Sequence, residues 1–266
     1  MTTISIITAT FNAASTVGDC LQSVASQTYP AEQIIIDGAS TDSTLEKVRL
    51  ISPTSWILSE PDSGIYDAMN KGIGLATGDV VGILNADDFY ASPLVLEKVA
   101  QVFEEPTVMS CYGDLEYIST ADEGRGLRDE KDHSQPVSGY KVIRYWKSGS
   151  FAPDSFYWGW MPPHPTFFVR RSVYERCGLF NLEQGSAADY EMMLRLLLKE
   201  RITTAYIPEV LVRMRVGGVS NASLRNRLQA NRMDRRAWDV NGLTPYPWTI
   251  MMKPLRKILQ YFHLQT

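Results

Sequence analysis

Short β-branched runs alternate with stretches of helical spacing through the first hundred residues. Ile4-Ser5-Ile6-Ile7-Thr8-Ala9-Thr10 reads as a strand, and Val17, Cys20, Leu21 and Val24 then occupy one face of a helix. Gln33 to Ile36 gives a second strand ending at Asp37, Leu45 and Val48 mark the next helix, and Trp56-Ile57-Leu58 gives a third strand. A helix from about Asp67 is expected to close at Gly78, with a fourth strand from Asp79 to Leu84 directly behind it. Leu96, Val99, Ala100 and Phe103 line another helix before a fifth strand at Val108 to Tyr112. Such alternation implies right-handed crossovers and a mainly parallel central sheet with helices on both faces. Ligands of these sheets sit beyond the carboxyl ends of the strands, where Asp37, Asp87 and Asp88 all fall.

The pattern loosens afterwards. Ser119 to Gly139 is polar and mixed in charge, a long loop and a candidate lid. Tyr140 to Met161 is dense in aromatics, His164 to Val169 is strand-like, and Tyr190, Met193, Leu194, Leu197 and Leu198 define a helix. Thr203 to Ile207 and Val210 to Arg215 read as two late strands, and Ser223 to Val240 as a polar, arginine-rich helix. The expected organisation is a ligand-binding α/β half over residues 1–118, a second half of the same domain over 119–222, and a basic helical extension over 223–266.

Composition narrows the class. With 266 residues, 44% apolar and 21% charged, the chain suits one α/β domain with an elaboration. A net charge of −4 argues against a nucleic-acid partner. Yet Arg213, Arg215, Arg225, Arg227, Arg232, Arg235, Arg236, Lys253, Arg256 and Lys257 make the tail basic. Cys20, Cys111 and Cys177 have no metal-ligand spacing and read as reduced thiols of a cytoplasmic protein. Neither a charged leader nor a membrane-spanning apolar run is visible.

The chemistry gathers at the ends of the early strands. Glu60-Pro61-Asp62-Ser63-Gly64-Ile65-Tyr66-Asp67 precedes Lys71, and the fourth strand ends in Asn85-Ala86-Asp87-Asp88. Carboxylates and a lysine around one strand end suit a divalent metal and a diphosphate, because hard oxygen ligands favour Mg²⁺ or Mn²⁺. Asn85 and Asp87 share a side of an extended chain, so Asp87 is the expected metal ligand; Asp88 joins it if the chain has turned, or else caps the helix near Pro93. Asp42 either meets ligand or caps the helix near Ser43, and Lys71 either meets ligand or pairs with Asp67 four residues earlier. The first loop, Thr8-Ala9-Thr10-Phe11-Asn12, lacks the glycines of a dinucleotide site.

The ordered set Ser5 to Asn12, Asp37 to Thr44, Asp67-Ala68-Met69-Asn70-Lys71-Gly72 and Asn85-Ala86-Asp87-Asp88 resembles family 2 glycosyltransferases of the bacterial surface-polysaccharide type. The resemblance implies a GT-A fold, Rossmann-like, with a C-terminal acceptor-side elaboration. It also implies an inverting transfer of one sugar from a nucleoside diphosphate sugar, UDP-linked, to a saccharide or lipid-linked acceptor. Carried over, Thr8, Thr10 and Asn12 line the nucleotide pocket, Asp37 holds the base and Lys71 sits near the nucleotide. Asn85, Ala86 and Asp87 form the DxD-like segment, with Asp87 on Mn²⁺ or Mg²⁺ and Asn85 leaving one less negative charge. Ala188-Asp189-Tyr190-Glu191 resembles the catalytic motif with Asp189 as base, although Ala188 stands where the family usually has an acid. Asp189 and Glu191 project about 200° apart on a helix, so one of them faces the sugar.

Other residues stay open between two roles. His164, with Asp88, belongs to the acceptor side or to the structure. Trp158 and Trp160 stack on a sugar or fill a core. Arg213, Arg215 and Gly217-Gly218 close over the diphosphate or form a solvated edge. Gln229 to Met233 is similar to the QxxRW signature of processive synthases but lacks its tryptophan, which favours single-sugar addition. Residues 247–262 are basic and aromatic, as in a peripheral membrane anchor or a packed helix. Two rival functions are a sugar-phosphate nucleotidyltransferase, which would want a glycine-rich first loop, and a non-catalytic nucleotide-sugar-binding subunit.

Overall fold

The computed structural model describes residues 1–120, 139–216 and 224–260, without the side chains of 120, 224–230 and 257–259. Most of the expected lid, and the Gly217-Gly218 turn, lie outside the described residues. β1 (Ile4–Thr10) is buried along its whole length. It runs parallel between β2 (Glu32–Asp37) and β4 (Val80–Ile83) and is covered on both faces. Alternate side chains take opposite faces, so Ile7 and Ala9 enter one core cluster and Ile4 and Ile6 another. β3 (Trp56–Ser59) pairs parallel with β2. The chain therefore runs outward from β1 to β3, then returns to set β4 on the other side of β1. In sheets of this kind ligands sit at such a reversal, beyond the carboxyl ends of β1 and β4.

Helices α1 (Val17–Ala25), α2 (Thr44–Ile51), α3 (Ile65–Leu75) and α4 (Val95–Val102) follow the expected faces. α3 starts two residues earlier than expected, because Gly64 at φ 113° makes the turn into it. It also stops at Leu75, short of Gly78. Gly72 lets α3 lie on β1, since a Cβ there would stand 2.4 Å from Ile7 Cγ2.

The remaining strands are β5 (Asp88–Tyr90), β6 (Ser110–Thr120), β7 (Tyr140–Trp146), β8 (Phe168–Arg170) and β9 (Thr204–Arg215). Among the described residues they complete a nine-stranded sheet in the order β3-β2-β1-β4-β8-β6-β9-β5, with β7 on β6. β1 to β4, β6 and β9 run one way and β5, β7 and β8 the other, so the sheet is mainly parallel. Three local expectations change. Asp88 opens a strand paired with β9 instead of capping a helix. The two late strands are one, with the register slipping around Pro208, where proline has no N–H to give. His164–Thr166 is a 3-10 turn between prolines, and the strand begins at Phe168.

α5 (Arg171–Cys177) and α6 (Ala188–Met193, continuing as a π-helical turn over Leu194–Lys199) lead to α7 (Leu224–Val240) and α8 (Thr249–Leu259). The last two pack onto the body. Trp238 is buried and its Nε1 donates to Tyr190 Oη at 3.0 Å, while Thr249 Oγ1 donates to the Tyr157 carbonyl at 2.8 Å.

Candidate active site

Asp37 ends β2 with its carboxylate buried, accepting from Ser40 N at 2.9 Å, from Ser40 Oγ and from Ser59 Oγ at 2.7 Å. The loops after β1 and β2 are laced together above it. Asn12 Oδ1 accepts from Thr41 N at 2.9 Å, Asn12 N donates to Ser40 Oγ at 2.8 Å, and Ala13 N donates to Thr44 Oγ1 at 2.8 Å. Asp42 belongs to this lacing, taking Ala14 N at 3.1 Å and Thr44 N at 3.0 Å. The Thr44 hydroxyl in particular holds its carboxyl below the ordinary range. Asn12 and Ala39 adopt φ of 48° and 63°, left-handed backbone that concentrates at functional loops. Phe11, 63% exposed, stands beside Gly38 and Asp62 at the mouth of this rim.

Across β1 lies the second acidic segment, about 10 Å from Asp37 by strand spacing. Leu84 N donates to Ile7 O at 3.0 Å, which sets Asn85 to Asp88 against the end of β1. Asp88 is buried, with Oδ2 accepting from Asn85 Nδ2 at 3.2 Å, while its Oδ1 and Asn85 Oδ1 have no partner. Burial, then the neighbouring Asp87, push the Asp88 carboxyl well above the usual range. Asp87 is half-buried and Ala86 buried. Arg215 Nη1 donates to the Asp87 carbonyl at 2.8 Å and Nη2 pairs with Asp19, so this guanidinium fixes the acidic turn. Two orphaned oxygens beside Asp87 suit an oxygen-seeking divalent cation. Among the described residues no three His, Cys, Asp or Glu side chains converge as a complete cage, so the remaining ligands would be diphosphate oxygens and water.

α3 joins this rim to the opposite wall. Lys71 Nζ pairs with Glu60 at 2.8 Å, approaches Asp67 at 3.8 Å and donates to Pro61 O at 3.1 Å, pinning the loop that enters the helix. Tyr66, in the first turn of α3, lies near Asp189 at the start of α6, and burial and then that carboxylate raise its phenol pKa. One turn on, Asn70 Nδ2 donates to Phe180 O at 2.9 Å and Asn70 Oδ1 accepts from Phe180 N at 2.9 Å. Tyr66 and His164 both pack on the Phe180 ring, with centroids 5.3 and 5.5 Å away. Burial lowers the His164 pKa, and the nearby Asp189 opposes that shift. Glu191 is committed elsewhere, bonded to Arg195 at 3.0 Å and Asn241 at 3.2 Å, and buried. Asp189 is half-buried and faces the Tyr66 and His164 side.

Several expected site residues stand back from the rim. Trp160 is 4% exposed, its Nε1 donating to Ser148 O at 2.7 Å inside a nest of Tyr112, Phe151 and Phe156. No face of its ring is open to a sugar, whereas Trp158 remains exposed. The Thr8 hydroxyl faces Cys20 at 3.8 Å, while Thr10 Oγ1 is buried without a partner. Arg213 is held by Glu116 at 3.0 Å and the Ala91 carbonyl at 2.8 Å within the sheet. Tyr66, Asn70 and Phe11 received no role from the sequence. The spacing of Tyr66 and Asn70 on one face of α3 was the signal for two of them.

Comparisons with known proteins bear on the family and the fold. The model of Glycosyl transferase family 2 matches residues 5–178. The chain is 30% identical over 225 residues to a PGL/p-HBAD biosynthesis glycosyltransferase of Mycobacterium bovis (strain BCG / Pasteur 1173P2), covering 82% of this chain and 78% of that one. It is 29% identical over 239 residues to an uncharacterized glycosyltransferase of Haemophilus influenzae, covering 85% and 69%. In three dimensions it resembles S. aureus TarS 1-349 in complex with UDP-GlcNAc, with a TM-score of 0.64 and 18% identity, covering 98% of this chain and 73% of that one. A longer TarS chain is spanned over 44% of its length. The mannosyltransferase PcManGT from Pyrobaculum calidifontis, in complex with GDP-Man and Mn2+, gives 0.62 at 19% identity, covering 99% and 70%. These likenesses identify the fold as GT-A-like, and the sequence matches fix the family: this chain is a member of glycosyl transferase family 2 and a glycosyltransferase.

Proposed function

We propose that the protein moves one sugar, with inversion, from a UDP-linked donor to a saccharide or lipid-linked saccharide acceptor. One observation supports this reading: the segment from Ser59 to Tyr66 runs from Asp37 to the neighbourhood of Asp189. Its first residue hydrogen-bonds Asp37, and its last lies near enough to Asp189 for that carboxylate to raise the Tyr66 phenol pKa. Asp37, Phe11 and Asn12 would hold the nucleoside, with the exposed Phe11 ring against the base, and Asp87 with the Asn85 and Asp88 oxygens would hold Mn²⁺ or Mg²⁺. That cation would neutralise charge on the departing diphosphate.

Asp189 would accept the proton of the acceptor hydroxyl as that oxygen bonds to the anomeric carbon. The bond from that carbon to the diphosphate breaks on the opposite face, and the nucleoside diphosphate leaves with its electron pair. Neutral His164 would orient the acceptor hydroxyl. The nearness of Tyr66 and His164 to Asp189, and the committed Glu191, support Asp189 over its neighbour as base.

A cytoplasmic location with peripheral membrane contact is part of the proposal. Among the described residues no helix is long and apolar enough to cross a membrane. Trp158, Tyr246 and Trp248 form an exposed aromatic cluster, and Met251 and Leu255 of α8 are also exposed. With Arg256 nearby, these side chains suit the interface of an anionic leaflet. The primary test is a panel of UDP-, GDP- and dTDP-sugars with and without Mn²⁺, read by thermal shift and donor turnover. Stabilisation by UDP-sugars that grows with Mn²⁺ is expected. Indifference to every nucleotide sugar would overturn the reading.

A further inference from the structure

We propose that the rim of the sheet opposite the active site carries a second binding site, for an uncharged oligosaccharide. A cavity of 520 Å³ opens there, lined by Tyr29, Pro30, Gln33, Ser52, Pro53 and Trp56 among others. A neighbouring hollow of 290 Å³ shares Tyr29 and Pro30 and extends it towards Thr77 and Gly78. Gln33 and Asp37 are four residues apart on β2, so the cavity is about 13 Å from the active rim.

The lining is specific in its chemistry. Trp56 is 70% exposed although it begins a strand. Ser52 is 5% exposed, yet its hydroxyl has no hydrogen-bond partner, and neither has the buried Gln33 Nε2. Buried polar groups are ordinarily paired, and those left unmet weaken the fold until something meets them. No lysine, arginine or histidine lines the cavity, which disfavours an anion. Its one carboxylate, Glu32, already accepts from Thr77 N at 2.9 Å, from Thr77 Oγ1 at 3.0 Å and from Ser5, which disfavours a cation. A purely apolar ligand would leave the amide and hydroxyl unmet. A sugar ring offers what remains: an apolar face for the indole, and edge hydroxyls that meet Gln33 and Ser52 once those side chains turn toward the cavity.

This inference is independent of the donor, the metal and the base proposed above. Its test titrates the full chain with cellotetraose, maltotetraose and the N-acetylglucosamine tetramer, following the Gln33 side-chain amide and the Trp56 indole by NMR. At least one tetrasaccharide should bind saturably at these signals. Trp56→Ala should weaken it by about tenfold or more, and Ser52→Ala by about two- to tenfold while raising Tm by removing an unmet hydroxyl. UDP-sugar binding should be unchanged in both variants, so that failure here and failure of the transfer reading are told apart. No perturbation by any of the three sugars, or equal affinity in Trp56→Ala, would overturn the second site.

Discussion

The surroundings of Asp37 and those of Asp189, the proposed donor rim and acceptor wall, are built from different materials. Around Asp37, hydroxyls and main-chain amides of two short loops lace to one another, with Asn12, Ser40, Thr41, Asp42 and Thr44 supplying most of the bonds. Around Asp189 the positioning comes from rings: Tyr66, Phe180 and His164 in front, Tyr190 and Trp238 behind. Polar lacing fixes the direction of donors and acceptors, whereas ring packing leaves one half-buried carboxylate among aromatic side chains. Under the proposed function the first wall serves binding and the second serves rate.

That contrast breaks most sharply at Asp189. Asp189→Asn should cut turnover by about 10²- to 10⁴-fold, the usual contribution of a positioned base, while leaving donor affinity nearly unchanged by calorimetry. Parallel losses in both would merge the two walls into one function. Next in size is Trp160→Ala, which should cost about 3–5 kcal/mol of stability in a denaturant titration, as for a large core ring. Unchanged stability with a weaker acceptor KM would return Trp160 to the sugar site. Asn70→Ala should lower kcat/KM by up to about 10²-fold, because the bonds that hold Phe180 set the spacing between the walls. Its donor affinity should stay as in the wild type.

A smaller effect lies at His164. Burial holds its folded pKa below the ordinary 6.5, so the unfolded chain binds the proton more readily. This contribution to stability is present above pH 6.5 and declines as pH falls toward the folded pKa. An imidazole titration by NMR should give a midpoint below 6.5, and Asp189→Asn, by removing the opposing carboxylate, should lower it further. An unmoved midpoint would separate the two residues.

The same contrast decides what was legible in the sequence. Strands ending at Asp37 and before Asn85, and the motifs after them, could be read because each is a short run with its own periodicity or turn chemistry. The acceptor wall could not, because its links join residues far apart in the chain: Asn70 and Phe180 are separated by 110 positions and Tyr190 and Trp238 by 48. Trp160 left its two roles open for that reason, since an aromatic-rich run does not say which ring faces inward. β5 was missed because three residues carry no period and its partner lies in β9. Pro165 and Pro208 were visible: the first lacks the N–H that a strand starting at His164 would use, and the second is absorbed as a register slip inside one strand.

The central claim is that Asp87 and the His164–Asp189 pair border one cleft. It is tested most directly by adding Mn²⁺ and UDP to the protein and following the His164 ring protons, assigned by His164→Gln among the three histidines of the chain. Paramagnetic broadening of His164 that disappears in Asp87→Ala is the predicted result. Binding of Mn²⁺ and UDP that leaves His164 sharp, or broadening that survives Asp87→Ala, would contradict the account.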